Sequence, residues 1–414
     1  MTATDSQQKR GEAAGQTPPR THARYEELEA YRGVAALLIV VFHAYQFSRQ
    51  GAGLTRYVYE GTPLHVLFHN LEAAVAWFFV LSGFLVFLPF ARAAIEQTRS
   101  ESARGFLIRR AIRILPTYYI AILIVWSWRY AGIPGQWTDL IEHLTFTHIF
   151  DRRYIFWTIG PAWSLAVEVL FYAFVAILGP VLFRFCRRLP DVSSRLRLTT
   201  GIIALLGLAS VGFKGWAWWI AKIPEANTPV YFGPLAKLDT LAIGMGLAVA
   251  VVAARQPVVR GVSAVAVGVA GVTVMAVAFI LRDHSEVVWL YFHTLNGLGF
   301  VLILAATVLG PRDSAWSRML ARPALTWIGV VSYSVYLWHE PIMIELAKHG
   351  WLISTRPEAF PVNAVILCVL SLLAGTLSYI AIERPTMNLR YLFTREGRLA
   401  DRYPAESRRQ RSIS

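Results

Sequence analysis

The sequence is dominated by apolar blocks about as long as a helix must be to cross a bilayer, roughly 20 residues. Candidate spans run at 31–47, 71–90, 112–131, 162–183, 199–219, 234–254, 261–281, 288–309, 325–345 and 362–382. Backbone polar groups facing lipid have no water to bond, which leaves helices or closed barrels. These blocks are continuous rather than alternating, so they read as helices. Composition agrees: of the 414 residues, 55% are hydrophobic and only 16% charged. The expected fold class is all-α, a polytopic membrane protein with about ten transmembrane helices.

Charge fixes the expected orientation. With the N-terminus in the cytoplasm, 29 of the 40 Lys and Arg residues fall on the cytoplasmic side, as the positive-inside bias requires. An odd number of spans would put the basic tail RYPAESRRQRS on the wrong face. Both termini are therefore expected to be cytoplasmic. The net charge of +14 is read as topology and attraction to anionic lipid, not as nucleic-acid binding. The expected organisation is a disordered tail at 1–24, a transmembrane domain at 25–390 and a basic tail at 391–414. Cys186 is placed in a cytoplasmic loop and Cys368 inside a helix, so no disulfide is expected. The stretch 137–150 reads as an interfacial helix in an outer loop.

Ionisable groups inside such a chain are expensive and usually face a cavity. Arg32 and His43 share the first span. Eleven residues bring them within roughly 20° of one face and about 16 Å apart along the axis. In FFVLSGFLV, Ser82-Gly83 permits close backbone approach; Ser82 is also a candidate nucleophile, although no partner base is adjacent in sequence. RRAIRILPTY places Arg109, Arg110 and Arg113 at the inner end of the third span, where arginine forks suit phosphates. Pro116 is expected to kink this helix. WSLAVE puts Ser164 and Glu168 one turn apart in an apolar helix. Lys237 and Asp239 open the sixth span and can pair with each other or with the site. In SYSVYLWHEP, Ser332, Tyr336 and His339 share a face, and Glu340-Pro341 is expected to unwind the end of the span. Each feature also has a structural reading: helix-end snorkelling, packing or an interhelical hydrogen bond. His65, His69, His143 and His148 lack the accompanying pattern of a metal centre, so none is expected.

Taken in order, Arg32-x10-His43, FFVLSGF, RRxxRIxP, WSLxxE, KLDTLxIG, SYSxYLWHEP and Glu383-Arg384-Pro385 resemble the acyltransferase-3 family of integral membrane O-acyltransferases. The resemblance spans about residues 25–390. It implies transfer of an acyl group, often acetyl, from acyl-CoA to a hydroxyl of a carbohydrate-containing acceptor such as a glycolipid, an envelope glycan or a glycosylated natural product. It implies that Arg32 and His43 are an essential pair, that Glu168 is a functional acid and that Arg109 and Arg113 help hold the donor. The residue chemistry adds His43 as general base, Glu168 or His339 as the group that orients it or binds acceptor hydroxyls, and Arg32 and Arg110 as further donor-binding arginines. Ser82, Ser164 and Tyr336 are candidate substrate contacts. Acyl-CoA enters as a co-substrate, with no tightly bound cofactor. Two departures stand out: no extracellular SGNH-type domain is recognisable, and Lys237 stands where arginine is common. The expected location is a bacterial cytoplasmic membrane. The alternative is a multi-span transporter of a sugar, lipid or drug, although no internal repeat is visible.

Overall fold

The computed structural model describes residues 26–49, 56–99, 102–130, 136–254, 258–311, 313–352 and 359–389. The expected tails at 1–24 and 391–414 lie outside them. Ten long helices coincide with the ten apolar blocks: α1 (Glu26–Phe47), α2 (Ala74–Glu96), α3 (Ala103–Tyr130), α4 (Ala162–Cys186), α5 (Val192–Gly215), α6 (Pro234–Ala254), α7 (Val262–Leu281), α8 (Phe292–Val308), α9 (Pro323–Lys348) and α10 (Ala359–Ser378). No strand occurs among the described residues. Eight of these elements are long and apolar enough to cross a membrane. The other two are α8, of 17 residues, and α9, whose second half carries His339, Glu340, Glu345 and Lys348.

Several boundaries differ from expectation for local reasons. α3 starts at Ala103, nine residues before its apolar block, and continues through Pro116. α9 likewise continues through Pro341 to Lys348 instead of unwinding. Arg129 donates to the Pro341 carbonyl at 3.0 Å and so ties α3 to this part of α9. Cys186 is the last residue of α4 rather than a loop residue, and both cysteines are free thiols. Asp191 caps α5, accepting the Ser194 N–H at 2.7 Å, as an N-cap aspartate should. The WAWW run widens into a π-helical turn at Trp216–Ile220.

Helices α1, α2, α4 and α9 form the middle of the bundle, with α3 along one side and α6 behind α2. α7 lies at the rim, with Val262, Val265, Val269 and Val272 all more than half exposed, as expected of a lipid-facing helix. Close approach of α2 and α6 rests on glycine. A methyl at Gly83 would fall on the Leu241 carbonyl, and one at Gly244 on the Val80 carbonyl. Small residues at such crossings let backbones touch where no hydrophobic force drives association. Gly83 therefore has the packing role anticipated for it.

The outer loop between α3 and α4 is folded, not slack. Its helix Trp137–Thr145 leads into a 3-10 turn, Thr147–Phe150, within the stretch expected to be interfacial. Beneath it, Asp139, His143, His148 and Thr158 are fully buried. The two histidine rings stack with centroids 4.1 Å apart. His143 pairs with Asp139 at 3.0 Å, and Thr158 donates to the same carboxylate.

Two predictions follow from this packing. Gly83→Ala is expected to cost about 3 kcal/mol and lower the thermal midpoint in detergent, whereas Gly201→Ala, which meets open space, leaves it unchanged. Equal midpoints would contradict the backbone contact. Burial, and then the nearby His143 charge, push His148 down to about 3 from the usual 6.5. Folding thus favours its neutral form, a stabilisation complete above about pH 6.5 and lost as pH falls from there towards 3. His148→Leu should flatten the fall in thermal midpoint between about pH 6.5 and 4.

Candidate active site

The site is built from five helices that each contribute polar side chains to an apolar interior. At one end, Arg32 of α1 and Arg110 and Arg113 of α3 line a cavity. Arg32 is held by Glu29, Nη1 to Oε2 at 3.0 Å. Arg110 lies over the rings of Phe106 and Tyr172, 5.6 and 5.4 Å from their centroids. Stacking a guanidinium on aromatic faces fixes its plane while leaving edge N–H groups available. Arg109 is exposed and is not part of this lining. The three cavity arginines come from two helices, which spacing within RRAIR alone does not show.

Deeper in the same cavity are Ser82, Ser164, Glu168, Tyr172, Ser332 and Tyr336. Glu168 is the buried acid around which this part is organised. Ser82 donates to its Oε1 and Tyr172 to its Oε2 at 3.0 Å. Both oxygens are thus satisfied by hydroxyls from two helices. Ser332 is fully buried, and its Oγ has no hydrogen-bond partner among the described residues. The cavity volume is about 90 Å³. That is room for a short chain of water-sized groups, so it suits an extended arm rather than a whole nucleotide.

Tyr336 closes the deep end. Its hydroxyl lies 2.8 Å from Ser164 Oγ, and its ring packs on Phe78 and His339. Beyond it stand His43 and His339, contributed by α1 and α9. Their rings approach with His339 Nε2 3.2 Å from His43 Nδ1. Hydrogen-bond logic assigns the protons. His339 Nδ1 is 2.6 Å from the Tyr336 carbonyl, which can only accept, so Nδ1 carries the hydrogen. Its Nε2 is then a lone pair, and His43 Nδ1 must be the donor facing it. The same His43 Nδ1 lies 3.0 Å from the Ile39 carbonyl, again as a donor. His43 Nε2 is left with a free lone pair and makes no hydrogen bond among the described residues. An imidazole held in one tautomer with its second nitrogen open is chemically a base.

The structure therefore brings together most of the residues singled out from sequence, but in two compartments. Arg32, Arg110, Arg113, Ser82, Ser164, Glu168 and Tyr336 share one. His43 and His339 form the other. Glu168 holds Ser82 and Tyr172, whereas His339 holds His43. Lys237 and Asp239 do not pair: Asp239 bonds Lys214 at 2.5 Å. Among the described residues no group of three His, Cys, Asp or Glu is arranged to hold a metal ion.

Sequence reasoning missed several supporting residues. Tyr172 was visible as the i+4 neighbour of Glu168 on one helix face. Glu340, which accepts the Gly160 N–H at 2.5 Å and ties the outer loop down beside Tyr336, had no local signal. Nor did the buried Ser334, which bonds Ser378 at 3.1 Å and donates to Glu383.

The fold and these two compartments define a multi-pass membrane protein built around an arginine-lined cavity and a paired-histidine centre. A family model described as an acyltransferase domain, Acyl_transf_3, matches residues 25–380, and the chain belongs to that family. It is 28% identical over 333 residues to the peptidoglycan O-acetyltransferase OatA of Listeria monocytogenes, covering 74% of this chain and 50% of the relative. It is 26% identical over 332 residues to the O-acetyltransferase OatA of Staphylococcus aureus, covering 74% and 51%. The chain thus spans about half the length of these relatives. No solved structure matches it.

Glu168 gives a direct test of the cavity geometry. Tyr172→Phe removes one of its two hydroxyl partners and is expected to cost about 1–3 kcal/mol, the usual cost of leaving a buried polar group without its hydrogen bond. Thermal unfolding in detergent measures it, and an unchanged midpoint would refute the assignment.

Proposed function

We propose that the chain is a membrane O-acyltransferase that moves a short acyl group, acetyl first among candidates, from acyl-CoA to a hydroxyl of a carbohydrate-containing acceptor. The observation that carries this reading is the open Nε2 of His43, its ring fixed through Nδ1 by Ile39 and His339. In the proposed reaction the acceptor hydroxyl gives its proton to His43 Nε2 as its oxygen attacks the thioester carbonyl. The tetrahedral intermediate then expels CoA thiolate, which recovers that proton from the imidazolium. The proton count closes without an acyl-enzyme. The Nδ1–H facing the Ile39 carbonyl helps stabilise the transient imidazolium.

Donor binding follows from the other compartment. Arg32, Arg110 and Arg113 form a cationic mouth suited to CoA phosphates. The narrow cavity leads from there past Ser82 and Glu168 to Tyr336, and a pantetheine arm is slender enough to lie in it. Tyr336, Ser164 and the unpartnered Ser332 hydroxyl are placed to contact the arm or the thioester. The names of the OatA relatives support a cell-envelope glycan as the acceptor class. A bacterial cytoplasmic membrane, with both termini and the arginine mouth on the cytoplasmic side, is part of the same proposal.

Free-thiol release from acetyl-CoA by purified protein, with and without an envelope glycolipid extract, tests the reading. Acceptor-dependent release is expected in the wild type. His43→Ala should reduce it about 10²–10⁴-fold, the usual worth of a general base. Arg113→Ala should raise the acetyl-CoA KM with a smaller effect on kcat. Absence of both thiol release and CoA binding in folded wild-type protein would overturn the proposal and leave the transporter alternative.

A further inference from the structure

Lys237 has no place in the chemistry above, yet it lies near it. It is one turn into α6 and only 5% exposed. Its Nζ stands 5.6 Å from the Trp163 ring centroid and 5.1 Å from that of Phe232. Ring faces attract a cation but offer no oxygen lone pair to its three N–H donors. Among the described residues no oxygen accepts them.

The nearby acids are already committed. Asp239 accepts the Thr240 N–H at 2.7 Å through Oδ1, and through Oδ2 it accepts Lys214 and the Thr294 hydroxyl, each at 2.5 Å. Glu72 pairs with Arg282. Lys214, Lys237 and Arg282 against Asp239 and Glu72 leave one excess positive charge. His293 of α8 faces this group within electrostatic reach, and its Nδ1 has no hydrogen-bond partner. Counted with Lys237 as the ammonium, the cluster lacks one negative charge, and an oxyanion at that position would stabilise the protonated form.

The position connects this deficit to the candidate active site. Trp163 immediately precedes Ser164, whose hydroxyl meets Tyr336, which packs on His339. Phe232 packs in turn on Phe156 of the α3–α4 loop, 5.2 Å between centroids. Through Phe232 and Trp163 the ammonium is thus linked to that loop and to the turn of α4 that carries Ser164. We propose that Lys237 is an anion-binding residue, taking a carboxylate or phosphate oxyanion carried by the acyl acceptor. Assigning the anion to an acceptor rests on the acyltransferase reading; anion binding at Lys237 does not.

The test uses the full chain purified in detergent. Thermal midpoints are followed as sodium phosphate or sodium acetate replaces sodium chloride at constant ionic strength and pH 7, with glucuronate against glucose as a sugar-borne pair. At least one oxyanion is expected to raise the wild-type midpoint by about 3 °C over chloride. Phosphate acting alone would identify a phosphate ligand; acetate and glucuronate acting alone would identify a carboxylate. Lys237→Met should keep the chloride midpoint and lose the shift, and Lys237→Arg should retain it. No oxyanion-specific shift in the wild type, or a shift that survives in Lys237→Met, would overturn the proposal. So would a chloride midpoint of Lys237→Met far below wild type, since the ammonium would then be a structural partner of the two rings. Oxyanion binding as expected, with no acyl transfer to any acceptor, would retain the site and remove the acceptor reading.

Discussion

A charge at membrane depth must find a partner or reach water, and this requirement organises the bundle. Several of the buried ionic groups are answered from another helix: Glu168 from α2, His43 from α9, Asp239 from α5 and α8, and Glu72 by Arg282, whereas Arg32 is held locally by Glu29 and Lys237 meets aromatic rings. Lipid supplies no hydrophobic force to pull helices together. These cross-helix polar contacts and the small-residue crossings therefore decide which helices are neighbours. Helices with little polar content of this kind, α7 above all, end at the rim.

The two compartments divide the chemical work. In the proposed reaction three guanidinium groups at one mouth take the charged end of the donor, and the cavity of about 90 Å³ beyond them takes its arm. Tyr336 stands where that passage meets the histidines, bonded on one side to Ser164 and packed on the other against His339. A reacting group brought along the cavity would meet the base only at its far end. The separation between the arginine mouth and the histidine pair is thus kept by the length of α1 itself, which carries Arg32 near one end and His43 near the other.

Sequence was informative where chemistry is costly in lipid. The apolar blocks gave the helices, and Arg32, His43, Glu168 and His339 stood out because such residues seldom occur there without purpose. It was uninformative about partners far apart in the chain. That His43 meets His339 rather than Glu168 depends on α1 and α9 being neighbours, and no local pattern encodes this. The same holds for Glu340 and Gly160, 180 positions apart. Arg109 and Arg113 look equivalent by i,i+4 spacing, but the rotation of α3 turns Arg110 and Arg113 inward and leaves Arg109 exposed. Proline marked no boundary: α3 and α9 continue through Pro116 and Pro341, since the local cost of one lost helical hydrogen bond does not outweigh the packing of the whole helix.

The Gly83–Gly244 crossing reaches beyond packing. Ser82 precedes Gly83 on α2, and Lys237 lies two turns before Gly244 on α6. Because each glycine is stopped against the other helix's backbone, the crossing acts as a datum from which both polar neighbourhoods are measured. Sliding α2 along α6 would displace Ser82 from Glu168 and, in the same motion, shift Lys237 relative to Trp163. The inner cavity and the lysine cluster therefore share a single mechanical reference and cannot be retuned separately by moving these two helices.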